Sequence, residues 1–182
     1  MSTLKAPLTP HDHIRGPADA PVTLVEYGDY QCPHCGAAYP IVETVREQFR
    51  DTLRYVYRHF PLTQIHPMAA PAAEAAEFAG AHGRFWDMHD GLYQNQEDLN
   101  DQGLAMIFGL ADTLGLSTDR LRESLERGEY SPKIRADALG GLRSGVNGTP
   151  TFFINGRRHD GSYMYDELVS AIESVLPVAA AR

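Results

Sequence analysis

The sequence predicts an α/β domain whose sheet is interrupted in the chain by a long run of helices. Three observations predict it. Residues 21–60 read strand, helix, strand; residues 67–144 carry helical signals; residues 149–176 read strand, turn, strand, helix. A chain of 182 residues can bury one core of this kind and still carry an insertion.

Residues 1–20, rich in Pro, His and Asp, read as an extended N-terminal lead-in. "PVTLVEYG" (21–28) is apolar and β-branched, as a buried strand should be. In the helix that follows, Ala38, Ile41, Val42, Val45 and Phe49 recur on one face. "LRYVYRHF" (53–60) is a second strand, and a strand–helix–strand unit makes its two strands parallel.

The insertion is expected over residues 63–145. One helical stripe is Phe85, Met88, His89, Leu92 and Tyr93; another is Leu104, Ile107, Phe108, Ala111 and Leu114. Ser117 or Thr118 caps a helix that Gly128 stops. Ser131–Pro132 reads as an N-cap with proline at N1, opening a helix that ends at Gly145 and packs back on the sheet domain. Asn155–Gly156 between "TFFI" and "RRHD" is a two-residue hairpin signal. Tyr165, Leu168, Val169, Ile172, Val175 and Leu176 make the last helix. Residues 21–62 and 146–178 thus form one domain around the insertion.

A formal net charge of -8 argues against nucleic acid and anionic membranes as partners, and no apolar run is long enough to span a bilayer. The first residues lack an apolar leader pattern, which predicts a cytoplasmic protein, or a periplasmic or other extracytoplasmic one if a leader was removed. A monomer without a small-molecule cofactor is expected.

Cys32 and Cys35 are the only cysteines. A disulfide between them closes a tiny loop and makes a poor staple, so chemistry explains the pair better than stability does. Cys32 falls at the N-cap of a helix with Pro33 at N1. There the free N–H groups and the dipole favour a thiolate. Cys32 therefore reads as the exposed attacking sulfur and Cys35, one turn in, as the resolving one. His34 stands between them, where its imidazole or its backbone N–H would stabilise the Cys32 anion. A second reading is half of a zinc site, completed by His59 and His66. His89 and Trp86 read as core, Arg157–Arg158 as a solvated face, and "HDH" (11–13) as too short for a metal site.

"CPHC", "RFWDMHD" and "GVNGTPTFFINGRRHDG" together resemble the DsbA-like thiol-disulfide oxidoreductases. The likeness runs over about residues 10–176 and extends to the thioredoxin-like domain fused to some sodium/proton antiporters, although no antiporter segment is present in this sequence. It implies a thioredoxin fold, β-α-β then β-β-α around a central mixed sheet, with an inserted all-helical domain. It implies Cys32 as nucleophile, Cys35 as resolving thiol, and Thr149–Pro150 as a cis peptide facing them. The backbone of residue 149 would then dock a substrate strand. Glu26 stands where the family carries a buried acid that relays a proton to Cys35; alternatively it is an edge carboxylate paired with Arg54. Protein or peptide thiols and disulfides are the implied substrates, with a recycling redox partner and no assigned direction. A chaperone-like or peptide-binding thioredoxin-fold protein without redox turnover is the other reading.

Overall fold

A five-stranded mixed sheet organises the computed structural model, which describes residues 2–177. The expected domain limit at residue 178 lies outside the described residues. In chain order come β1 (His13–Arg15), β2 (Val22–Gly28), α1 (Pro33–Gln48), β3 (Leu53–His59), α2 (Ala69–Ala81), α3 (Phe85–Gln94) and α4 (Gln96–Gln102). Then follow α5 (Leu104–Thr113), α6 (Thr118–Arg127), α7 (Ser131–Arg143), β4 (Thr151–Ile154), β5 (Arg157–His159) and α8 (Tyr165–Glu173). The strands lie in the order β1-β3-β2-β4-β5. β2 and β3 are parallel, joined by α1, and the other pairings are antiparallel.

Alternation along the strands sends side chains to opposite faces. Val22 and Leu24 join the larger apolar cluster with Cys35, Ala38, Val42 and Val45 of α1, Leu168 and Ile172 of α8, and helices α2, α3 and α5. Val25 and Tyr27 face the other way, into a smaller cluster with Val56, Phe60, Val146 and Phe153, against which Ala138 of α7 packs. Residue 32, the first turn of α1 and the loop before β4 meet at the C-terminal end of β2. Asn155 and Gly156 both take left-handed angles, φ 47° and 77°, which is the turn their sequence predicts.

Local chemistry moves two expected boundaries. Ser131 is the first helical residue, not the cap, because its hydroxyl donates to Glu74 at 2.5 Å; Tyr130 takes the cap position. α7 stops at Arg143, two residues before Gly145, whose φ is +84°. Within the expected α5 stripe, Leu104 is exposed, Ile107 and Ala111 are buried, and Phe108 and Leu114 are partly buried.

The lead-in over residues 1–20 is more than an extended entry. His13–Arg15 forms the edge strand β1, and Thr3 bridges Arg157 at the opposite edge. Arg58 of β3 is the cause. Its buried guanidinium meets the Asp12 carboxylate at 2.7 and 2.9 Å, the carbonyl of Ala6 at 2.9 Å and that of Pro7 at 2.8 Å. The charge can be buried only if the N-terminal segment lies over it. Arg58→Ala leaves Asp12 buried without its counter-ion and should cost about 3–5 kcal/mol. Urea unfolding should place the midpoint well below wild type, with part of the loss recovered in Arg58→Ala/Asp12→Ala.

Candidate active site: a buried dithiol at a helix start

Cys32 is the N-cap of α1 with φ -70° and ψ 122°, and Pro33 is the first helical residue. Proline has no N–H, so the first amides that can face the Cys32 sulfur belong to His34 and Cys35. Both cysteines are free thiols. Cys35 is fully buried against the sheet, and Cys32 keeps 4% of its surface. The expectation of an openly exposed Cys32 is therefore corrected: the Thr149–Pro150 loop lies over it. The Cys32 sulfur lies 3.4 Å from the Thr149 carbonyl oxygen, to which its protonated form donates, and the Thr149–Pro150 peptide is cis. The Thr149 hydroxyl is buried beside it with no other partner.

The two sulfurs differ in acidity. Cys32 is lowered from 9.0 to about 5, first by a hydrogen bond from the Cys35 thiol. Burial opposes this, and Thr149 and then the N–H groups of Cys35 and His34 add to it. The helix amides expected to dominate thus rank behind the neighbouring thiol. His34 itself is exposed, and it reaches Cys32 through its backbone N–H. Cys35 is held well above its ordinary value, first by burial and then by its hydrogen bond to Cys32 and the charge of Glu26.

Glu26 lies on the face of β2 that carries Val22 and Leu24, and it is 2% exposed. Burial raises it to about 7, although the Tyr55 hydroxyl donates to its carboxylate at 2.7 Å and lowers it. Arg54, the alternative partner, bonds instead to the Thr23 hydroxyl and the Ala18 carbonyl, each at 2.8 Å. The register explains this. Thr23 pairs with Arg54 and Leu24 with Tyr55, so the face carrying Glu26 receives Tyr55 and excludes Arg54.

Sequence reasoning missed Asp29. Its side chain is fully buried and accepts from the Gln31 N–H at 2.8 Å, the Leu62 N–H at 2.9 Å and the His66 ring at 2.8 Å. It therefore joins the turn before Cys32 to the loop after β3. The available signal was an aspartate two residues before a turn amide, the pattern of an Asx turn.

The zinc reading loses its histidines. His66 is engaged by Asp29, and the His59 ring donates from Nε2 to the Glu77 carboxylate at 2.8 Å. Among the described residues no cluster of metal-type donors includes a cysteine. His59, Glu77 and Asp137 do converge, but the Lys133 ammonium already lies 2.6 Å from Asp137. His89 meets the Tyr30 hydroxyl at 3.0 Å inside the core, and Asp12 and His13 of "HDH" bond to Arg58 and Glu77. Arg158 is no free surface charge: it bonds the Gly145 carbonyl and bridges to Asp160.

The Tyr55 hydrogen bond holds Glu26 down. Tyr55→Phe should therefore raise the Glu26 midpoint above about 7, as carbon-detected NMR titration of the carboxyl would record. An unchanged or lower midpoint would contradict the assignment.

A family model described as thioredoxin matches residues 8–174. Among curated proteins, a Na(+)/H(+) antiporter NhaA of Salinispora arenicola is 49% identical over 172 residues, which is 94% of this chain and 26% of that protein. The chain thus spans about a quarter of the length of the curated relatives it matches. Among solved structures, oxidised BdbD of Bacillus subtilis aligns with a TM-score of 0.83 at 24% identity, over 96% of this chain and 97% of that one. A thioredoxin-like oxidoreductase of Silicibacter pomeroyi aligns with a TM-score of 0.77 at 26% identity, over 91% and 92%. The matched residues include the whole sheet, α1 and the helices between β3 and β4, and on that extent the chain belongs to the thioredoxin family, with the fold of the DsbA-like oxidoreductases.

Proposed function

We propose that this chain is a thiol-disulfide oxidoreductase that exchanges disulfides with protein or peptide substrates through Cys32 and Cys35. The observation that carries the reading is the placement of the sulfurs: Cys32 caps α1 beside the cis Thr149–Pro150 peptide and Cys35 is fully buried one turn in, which lowers the outer thiol to about 5 and holds the inner one well above its ordinary value. The Cys32 thiolate attacks a substrate disulfide. A Cys32–substrate bond forms, the substrate S–S bond breaks, and the departing thiolate takes a proton. Cys35 then loses its proton to Glu26, whose midpoint near 7 suits a group that accepts and returns protons at neutral pH. Its sulfur attacks Cys32, closing the Cys32–Cys35 disulfide and releasing a reduced substrate. Run backwards, the same steps oxidise a substrate dithiol. The Thr149 backbone and Pro150 are the substrate-docking edge, and a separate redox partner restores the pair.

The low midpoint of Cys32 favours the reduced form. Its folded value of about 5 lies below the ordinary 9.0. The favourable contribution is therefore complete above about pH 9, shrinks as the pH falls, and vanishes below about pH 5. At pH 7 it amounts to at most about 3 kcal/mol, or about 60 mV, part of which solvent screens at the rim of the site. That bias moves the pair toward accepting electrons, so an oxidising compartment outside the cytoplasm suits it better than the cytoplasmic location expected from its first residues. A peptide-binding protein without turnover would leave this split unused.

Equilibration with defined glutathione mixtures, followed by alkylation of free thiols, tests the reading. Cys32→Ser should abolish insulin-disulfide reduction and dithiol oxidation, and Cys35→Ser should accumulate a mixed disulfide. Retained exchange in Cys32→Ser would overturn the proposal. Glu26→Gln should slow resolution of the mixed disulfide by on the order of tenfold to a hundredfold and remove the inflection near pH 7. Stopped-flow measurement across pH 5–9 records both effects.

A further inference from the structure

Gln96, the first residue of α4, lies far from the cysteines in sequence, yet its carboxamide reaches the turn that carries Cys32. Nε2 donates to the Tyr30 carbonyl at 2.8 Å and to the Cys32 carbonyl at 2.9 Å. The same Cys32 carbonyl accepts the Gly36 N–H at 3.0 Å, the bond that closes the first turn of α1. Gln96 therefore holds the carbonyl from which the redox helix begins.

The residue after the second cysteine makes this possible. A Cβ placed on Gly36 would lie 2.1 Å from Oε1 of Gln96 and 2.8 Å from its Cδ. The backbone conformation there is ordinary helix, which any residue can adopt. A side chain at position 36 would have to displace the Gln96 carboxamide, which fills the space that the glycine leaves. A second tie runs from the same turn to the same group of helices: the Gln31 carboxamide accepts the Met68 N–H at 2.6 Å and donates to Asn100 at 3.0 Å.

We propose that Gln96 is a positioning residue for the redox pair, an amide clamp that reaches from the inserted helices into the cavity left by Gly36 and fixes the 30–32 turn. The clamp keeps Sγ of Cys32 facing the N–H groups of His34 and Cys35. Without it the N-cap can rotate, and the sulfur loses donors while its burial remains. This deepens the proposed function, since it rests on Cys32 being the ionised sulfur.

Titration of the Cys32 thiolate by its ultraviolet absorbance, on the reduced 182-residue chain, reads the effect without any substrate. Gln96→Ala should raise the midpoint by about half a unit or more, a roughly threefold fall in the thiolate-to-thiol ratio at the wild-type midpoint. Gln96→Met keeps the length and removes the donors; it should raise the midpoint similarly and guards against a mere packing defect. Gly36→Ala should displace Gln96 and give the same direction. In Gly36→Ala/Gln96→Ala the clash is gone, so the midpoint should match Gln96→Ala alone and fall short of the summed shifts. A glutathione equilibrium should move toward the disulfide in step. Wild-type midpoints in Gln96→Ala and Gln96→Met would overturn the clamp, whatever their thermal stability. Additive shifts in the double variant would overturn the role of Gly36. A wild-type chain that itself titrates near 9 would instead sink the reading of Cys32, a separate outcome.

Discussion

One proton held between two sulfurs governs this site. Cys35 is fully enclosed, so its ionised form lacks solvation and the proton stays on it. That proton is then available to donate to Cys32, and this donation is the largest influence making Cys32 acidic. The acidity of the outer sulfur is thus a product of the burial of the inner one. Everything that buries Cys35 contributes: the packed face of β2, the apolar stripe of α1, and the aromatic layer where Tyr30 stacks on Tyr57 with ring centres 5.2 Å apart. The arrangement also explains why the two cysteines sit one helical turn apart. At that spacing one sulfur can cap the helix while the other points into the core.

Glu26 belongs to the same logic. A carboxylate enclosed beside an enclosed thiol cannot ionise freely, and the nearby charges of Glu43 and Cys32 push it further up. Among the described residues, Tyr55 alone supplies its side chain with a donor. The resulting balance near neutral pH comes from opposing effects on one strand face: enclosure raises the acid, and a single phenol restrains it. Lys133, by contrast, lies 2.6 Å from Asp137, and Arg58 2.7 Å from Asp12, so those carboxylates each have a cation beside them. The fold therefore pairs its structural charges closely and leaves the carboxylate nearest the chemistry with only a neutral donor.

Much of this was legible in the sequence. Strong periodicity placed the strand–helix–strand unit, the inserted helices and the Asn155–Gly156 hairpin, because each carries its signal locally. The cysteine pair and Pro33 announced the helix start. What was not legible depends on partners distant in the chain. β1 is three residues long and exists because Arg58 needs Asp12 and the carbonyls of Ala6 and Pro7 over it. Asp29 and Gln96 look like ordinary polar residues until Leu62 and His66, or Tyr30 and Cys32, are brought beside them. The rank of the influences on Cys32 required knowing how deeply Cys35 is buried. The choice of Tyr55 over Arg54 as partner of Glu26 could have been read from strand alternation alone, once the parallel register was fixed.

The inserted helices are tied to the redox turn by polar side chains as well as by apolar packing. His66 bonds Asp29, Met68 bonds Gln31, and Gln96 bonds Tyr30 and Cys32. Apolar contacts between helices tolerate small slips, whereas a hydrogen bond fails beyond a few tenths of an ångström. A turn held by such bonds has its sulfur fixed in distance and direction relative to the amides that stabilise it. Exchange chemistry needs that fixity, because an attacking thiolate must approach along the S–S axis of its target. The helical segment between β3 and β4 is therefore tied mechanically to the turn that carries Cys32, even though neither cysteine lies on it.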